Sequence, residues 1–170
     1  MPALADVGPQ PDAGEQGLDP GCRFSNGTSA RPAELTDVAT GRTFRLADLA
    51  GTTVIIETMA IWCSNCLAQQ RHVYDALVDL APAHVAYVVI DVDPNETEAA
   101  LAQYRDRNGF TGTYVVATRD LARALASEFG DQVLNPPSTP MLLIGSDGRV
   151  TLTDYGSKSP ERIVELAPCR

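Results

Sequence analysis

The sequence predicts an α/β layer fold built on a mixed β-sheet, and three observations predict it. Two runs, Thr53–Met59 and Val85–Val92, are apolar and β-branched nearly throughout, as strands buried on both faces require. Each run is followed by a segment whose apolar residues recur at helical spacing. The chain then closes with a strand pair around Ser146-Asp147-Gly148 and a last helix.

Residues 1–31 are rich in Gly, Pro, Asp and Ser and show no apolar periodicity, so they read as a tail or linker ahead of one domain over 32–170. Leu35-Thr36-Asp37-Val38, followed by Thr40-Gly41, suggests a short strand and a turn. After Thr53–Met59, apolar residues at Cys66, Leu67, Val73, Leu77, Val78 and Leu80 predict a helix of about four turns, which Pro82 ends. The strand Val85–Val92 breaks at Asp93-Pro94-Asn95, which supplies turn and cap residues for a helix from Glu96 to Arg107. Thr113–Ala117 reads as a strand, and Asp120 as the cap of a helix running to Phe129. Met141–Ile144 and Val150–Leu152 form a hairpin, and Ser159-Pro160 opens the final helix. The sequence holds no internal repeat.

Composition narrows the function. A chain of 170 residues can bury a core of its own. Lys and Arg number 13 against 22 Asp and Glu, a formal charge of −9, and the clustered positive charge that nucleic acid or an anionic membrane surface demands is missing. No run approaches the ~20 apolar residues of a membrane span, and the N-terminus lacks a signal-peptide pattern. Either the protein is cytosolic or a signal or anchor has been removed. Asn26-Gly27-Thr28 and Asn95-Glu96-Thr97 match glycosylation sequons, a pattern that chance often produces.

Cys22, Cys63, Cys66 and Cys169 are too few for a disulfide scaffold in a chain of this size, and two of them form one isolated C-x-x-C. Its position matters more than its spacing, because it lies where a buried strand gives way to a helix. Backbone N–H groups at a helix N-terminus are unpaired and carry partial positive charge, which stabilises a thiolate. Cys63 is then the attacking sulfur, and Cys66, one turn in, the one that resolves the mixed disulfide. Metal, haem and peroxide chemistry fit the motif less well. Structural zinc needs a second ligand pair, and Cys22, Cys169, His72 and His84 do not supply one at ligand spacing. Covalent haem needs His directly after the second cysteine, where Leu67 stands. A peroxidatic cysteine has Thr or Ser three residues earlier, where Ala60 stands. Chance proximity of two buried thiols is the bland alternative.

The string Val54-Ile55-Ile56-Glu57-Thr58-Met59-Ala60-Ile61-Trp62-Cys63-Ser64-Asn65-Cys66 resembles the strand, active-site loop and helix of the thioredoxin superfamily. Thr139-Pro140 before Met141–Ile144 is similar to the cis-proline that this family places ahead of a strand facing the cysteines, where its backbone pairs with substrate peptide. Pro136 and Pro137 compete for that place, but neither directly precedes the strand. Leu35–Gly41, Arg45–Gly51 and Val92-Asp93 resemble the N-terminal hairpin and loops of the TlpA/ResA/CcmG-like reductases. The resemblance covers about residues 33–168. It implies a thioredoxin-like fold with an N-terminal β-hairpin extension, and an extracytoplasmic setting, periplasmic or membrane-tethered. It departs from the family at Ser64-Asn65, where relatives carry proline-containing pairs, and at Gln69, where many carry an acidic residue.

The same resemblance places Glu57, six residues before Cys63, where thioredoxins carry a buried Asp. There it would take and return the proton of Cys66 through water; the alternative is a strand-edge Glu reaching solvent. Trp62 reads as part of the substrate-facing rim or as simple packing. His72 and His84 read as surface or helix residues, and Tyr74 and Tyr87 as core or half-buried aromatics. Cys22 and Cys169 form either a disulfide tying the tail to the domain, with a contribution on the order of 2–4 kcal/mol, or two free thiols.

The expectation is therefore a monomeric, cofactor-free protein-disulfide oxidoreductase. It would exchange disulfides with protein thiols and an upstream electron donor, in the reductase direction that the subgroup implies. The alternative is a module that captures copper(I) on its paired thiolates, against which stands the lack of nearby Met or His ligands. A redox-inert scaffold fits poorly with both cysteines present.

Overall fold

The computed structural model describes residues 33–80 and 84–167. A five-stranded sheet has the order β5-β4-β3-β6-β7, formed by β3 (Thr53–Met59), β4 (Val85–Asp91), β5 (Thr113–Val116), β6 (Met141–Ile144) and β7 (Val150–Leu152). The first three run parallel, in register Ile56↔Val88 and Ile90↔Val115, while β6 and β7 run antiparallel to their neighbours. All seven residues of β3 are buried. A central strand covered on both faces needs that continuous apolar run.

Helices cover both faces. α1 (Ser64–Asp79), α2 (Glu98–Arg107) and α4 (Pro160–Leu166) pack Val73, Ala76, Leu101, Tyr104 and Ile163 into the core that holds Ile55, Met59, Met141 and both site cysteines. α3 (Arg119–Phe129) sends Leu121 and Leu125 to the other face, with Val54, Ile56, Val88 and Ile90. Strand alternation explains the split, since successive residues of β3 point to opposite faces.

The N-terminal hairpin is present as β1 (Glu34–Thr36) and β2 (Thr43–Arg45), paired at Leu35↔Phe44. It attaches to the sheet edge through the Val38 N–H, which donates to the Tyr114 carbonyl at 2.9 Å. Two caps differ from expectation. α2 is capped by Thr97, whose hydroxyl accepts the Ala100 N–H, and α3 by Thr118, which accepts the Leu121 N–H. Asp93-Pro94-Asn95, expected to supply both turn and cap, supplies the turn, and Asp120, the expected cap of α3, lies in its first helical turn. A Thr hydroxyl on extended backbone can cap in place of a carboxylate, so neighbouring candidates are settled by chain geometry. Ser159 caps α4 with Pro160 behind it, as expected. The expected tail and Cys22 and Cys169 lie outside the described residues.

Candidate active site

Cys63 is the N-cap of α1. Its backbone is extended (φ −83°, ψ 105°) and its Sγ accepts the Cys66 N–H at 3.1 Å. Cys66 lies one turn in, with a Cα–Cα separation of 5.3 Å, and the two sulfurs are joined as a disulfide. Cys63 retains 3 % of its surface and Cys66 none, so Cys63 is the less buried of the two. Cys66 Sγ lies 3.2 Å from the Pro136 carbonyl, and Asn65 Nδ2 donates to the Pro137 carbonyl at 3.1 Å. The single turn Pro136–Ser138 therefore closes one side of the pair.

Thr139 and Pro140 follow that turn and lead into β6. The expected cis bond is not there: no peptide among the described residues is cis. The chain reverses instead through Thr139 in the left-handed region (φ 46°, ψ 58°), its N–H bonded to the Pro136 carbonyl at 2.8 Å. This delivers a trans Pro140 to β6, where its carbonyl accepts the Thr58 N–H at 3.4 Å. A left-handed conformation is uncommon for a β-branched residue.

Glu57 is wholly buried. It shares the β3 face of Ile55 and Met59, the face that packs under α1 and the cysteines. Tyr87 donates its hydroxyl to Oε2 at 2.8 Å, while Oε1 meets no donor. Burial pushes the carboxyl up to about 8, against the Tyr87 hydrogen bond and the Lys158 charge, which pull it down. Glu57 is thus not a strand-edge residue reaching solvent.

Lys158 carries no signal in the sequence, yet it is buried beside this site. Its ammonium donates to the carbonyls of Gly156 at 2.7 Å and Thr139 at 3.3 Å. Burial lowers its pKa, and the charges of Glu57 and Asp154 oppose that shift. α1 grips the Lys158 backbone from the other side. Gln69 accepts its N–H at 2.7 Å and donates to its carbonyl at 3.3 Å, and a His72 ring nitrogen sits 2.8 Å from the same carbonyl. His72 is half-buried in α1 and His84 is exposed, and neither approaches a ligand cluster. Among the described residues no three His, Cys, Asp or Glu side chains come together to hold a metal.

The loop ahead of Cys63 is held by carboxylates. Trp62 is 60 % exposed, and its indole N–H donates to Asp93 Oδ2 at 2.7 Å. The Ile61 N–H donates to Glu96 Oε2 at 2.8 Å. The Asn95 amide and then the Trp62 indole hold Asp93 below the usual carboxylate range. Tyr87 lies in the core and Tyr74 is half-buried, with the Tyr74 hydroxyl accepting the N–H groups of Thr111 and Gly112.

No family model matches the sequence, and no curated protein matches it. Solved structures do match in shape. A thiol:disulfide interchange protein of the thioredoxin family from Chlorobium tepidum superposes with a TM-score of 0.67 at 22% identity, covering 85% of this chain and 99% of its own. A secreted Mycobacterium tuberculosis disulfide oxidoreductase homologous to E. coli DsbE gives 0.61 at 16% identity, over 78% of this chain and 92% of its own. BsSco, a member of the Sco family of cytochrome c oxidase assembly proteins with a disulfide switch, gives 0.63 at 16% identity, over 82% and 91%. The chain has the thioredoxin fold. Among the described residues no helix is long and apolar enough to cross a membrane.

Proposed function

We propose that this protein is a thiol–disulfide oxidoreductase that exchanges disulfides with protein substrates through Cys63 and Cys66. The carrying observation is the N-cap position of Cys63, with Cys66 bonded to it one turn inside the helix. The structures it resembles include thiol–disulfide oxidoreductases. The favoured direction is reduction of substrate, in an extracytoplasmic setting.

In the reduced protein the helix N-terminus stabilises the Cys63 thiolate. That thiolate attacks one sulfur of a substrate disulfide. A mixed disulfide forms, the substrate S–S bond breaks, and the second substrate sulfur leaves as a thiolate that takes a proton. Cys66 then gives its proton to the ionised Glu57 carboxylate and attacks Cys63 Sγ; the Cys63–substrate bond breaks, and the first substrate sulfur leaves as a thiolate that takes the proton back from Glu57. Two electrons have passed to the substrate, and the protein is left with the Cys63–Cys66 disulfide for a dithiol donor to reduce. Glu57 suits the proton step because burial raises its carboxyl to about 8, close to an ordinary thiol, so its ionised fraction near neutrality can take the Cys66 proton and give it back. Trp62, exposed beside Cys63, forms the rim on which substrate peptide rests, whereas Thr139 and Pro140 are buried with their carbonyls already taken by the Lys158 ammonium and the Thr58 N–H.

The test is reduction of insulin disulfides by the dithiol form. Wild type is expected to turn over, Cys63→Ser to be inactive, and Cys66→Ser to accumulate a mixed disulfide through Cys63. A couple near about −270 mV supports the reductase direction, and one near −120 mV overturns it. Reduced protein that binds copper(I) and leaves insulin intact would overturn the exchange reading altogether.

A further inference from the structure

A second buried carboxyl, Asp91, takes no part in the exchange steps above. It ends β4, in register with Met59 of β3 and Val116 of β5, and is wholly buried. Its Oδ1 accepts the Asp93 N–H at 3.0 Å, but its Oδ2 meets no N–H or O–H donor. The side chain that reaches it for a hydrogen bond is the carboxyl of Glu96. Two carboxyl groups can bond only when one of them holds a proton. Glu96 in turn accepts the Ile61 N–H, two residues before Cys63. The titratable groups that face Asp91 are Glu96 and Asp93, both on the connection between β4 and α2. The flanking strands present Met59 and Val116 opposite it, which do not titrate, and β3 carries Glu57 two residues before Met59 on the same face.

We propose that Asp91 and Glu96 share one proton and, through it, act as positioning residues for the loop Ile61-Trp62 that leads into Cys63. With the proton in place Asp91 donates to Glu96, and Glu96 is held against the Ile61 N–H. When the proton passes to solvent, two carboxylates face each other where little water reaches them. Glu96, half-buried on its loop, then turns outward and the Ile61 N–H loses its acceptor. Trp62 moves with the loop, since Asp93 on the same connection holds its indole. Burial first, and then the Glu96 carboxyl, push Asp91 up to about 8, which puts the release just above neutral pH.

The consequence for turnover rests on the oxidoreductase reading, but the proton can be observed without it. Trp62 is the single tryptophan of the chain, so intrinsic fluorescence of the oxidised protein reports on this loop while neither Cys63 nor Cys66 titrates. Between about pH 6 and about pH 9.5 the wild type is expected to show a one-proton transition. Asp91→Asn should abolish it, because the amide donates to Glu96 at every pH. Glu57→Gln, which removes the other carboxyl titrating in that range, should leave it in place. Glu96→Gln keeps an acceptor for Ile61 and removes the second charge, so it should move the transition down by about one pH unit. No transition in wild type, an unmoved one in Glu96→Gln, or one that persists in Asp91→Asn overturns the proposal. In insulin reduction, Asp91→Asn should stay within about twofold of wild-type kcat/KM near neutral pH, and its ratio to wild type should rise about threefold or more by pH 9. A ratio that stays flat across that range counts against positioning, whereas loss of turnover in every protein with the fluorescence pattern intact sinks only the exchange reading.

Discussion

Glu57 depends on one hydroxyl. Tyr87 gives it its single hydrogen bond, to Oε2 at 2.8 Å, and Oε1 has no donor at all. That bond and the Lys158 charge oppose the upward push of burial. Tyr87→Phe removes the donor without changing the ring that packs against Tyr74 at 5.5 Å. The carboxyl is then wholly without a partner, so its pKa should move above about 8. The cost in stability should be about 1–3 kcal/mol, as for a buried polar group whose partner is lost. A pH profile of the resolving step, measured on a Cys63 mixed disulfide with a small thiol, should show its midpoint displaced upward. A midpoint that stays put or falls would separate Glu57 from the proton transfer. The carboxyl itself was legible in the sequence, because an acidic residue inside an apolar strand, six residues before Cys63, stands out against its neighbours. Its donor was not, since Tyr87 sits thirty positions away on β4 and only the parallel register of the two strands brings it near.

The helix that carries the cysteines does a second job through Gln69. Its amide accepts the Lys158 N–H and donates to the Lys158 carbonyl, fastening α1 to the segment that leads into α4. Only an amide can do both, because a carboxylate has no proton to donate. Gln69→Glu would therefore face the Lys158 carbonyl with a second acceptor in a buried site. The expected loss is about 1–3 kcal/mol in chemical denaturation, with a smaller loss for Gln69→Ala, which removes both bonds without adding a charge. Equal stability of the glutamate variant and wild type would show that this clamp contributes nothing. At the scale of elements the sequence was most informative where periodicity is strong. β3 matches its expected bounds, β4 ends one residue earlier than Val92, and α1 runs its four turns up to the segment before Pro82. It was least informative at caps and turns. Thr97 caps α2 in place of the Asp93-Pro94-Asn95 segment, Thr118 caps α3 in place of Asp120, and the reversal before β6 uses Thr139 in a left-handed conformation where the cis bond was expected. Such choices are made by tertiary contacts, as when Pro136 and Pro137 present their carbonyls to Cys66 and Asn65.

For the whole molecule, two buried acids make stability depend on pH in a direction opposite to that of most carboxylates. Glu57 and Asp91 are each pushed up to about 8 in the folded chain, from ordinary values of 4.5 and 3.8. Between those ordinary values and about 8 the folded state holds protons that the unfolded state has released. Folding is then favoured at lower pH, and stability falls as pH rises through this window, by about 1.4 kcal/mol per pH unit for each group. Above about 8 both states are ionised and the slope flattens. Acids with lowered values, such as Asp93 and Glu161, act the other way, and their contribution is lost only as pH falls toward their folded values. The maximum should therefore lie on the acid side of neutrality. Urea denaturation of the oxidised protein at about pH 5, 7 and 9 should show midpoints that decrease in that order. Glu57→Gln and Asp91→Asn should each flatten the series, and the double variant should flatten it most, because each removes one proton that the folded state holds. A wild type whose midpoint rises from pH 5 to pH 9 would mean that these acids are not protonated in the native core, and the proton-carrying roles assigned to both would fall together.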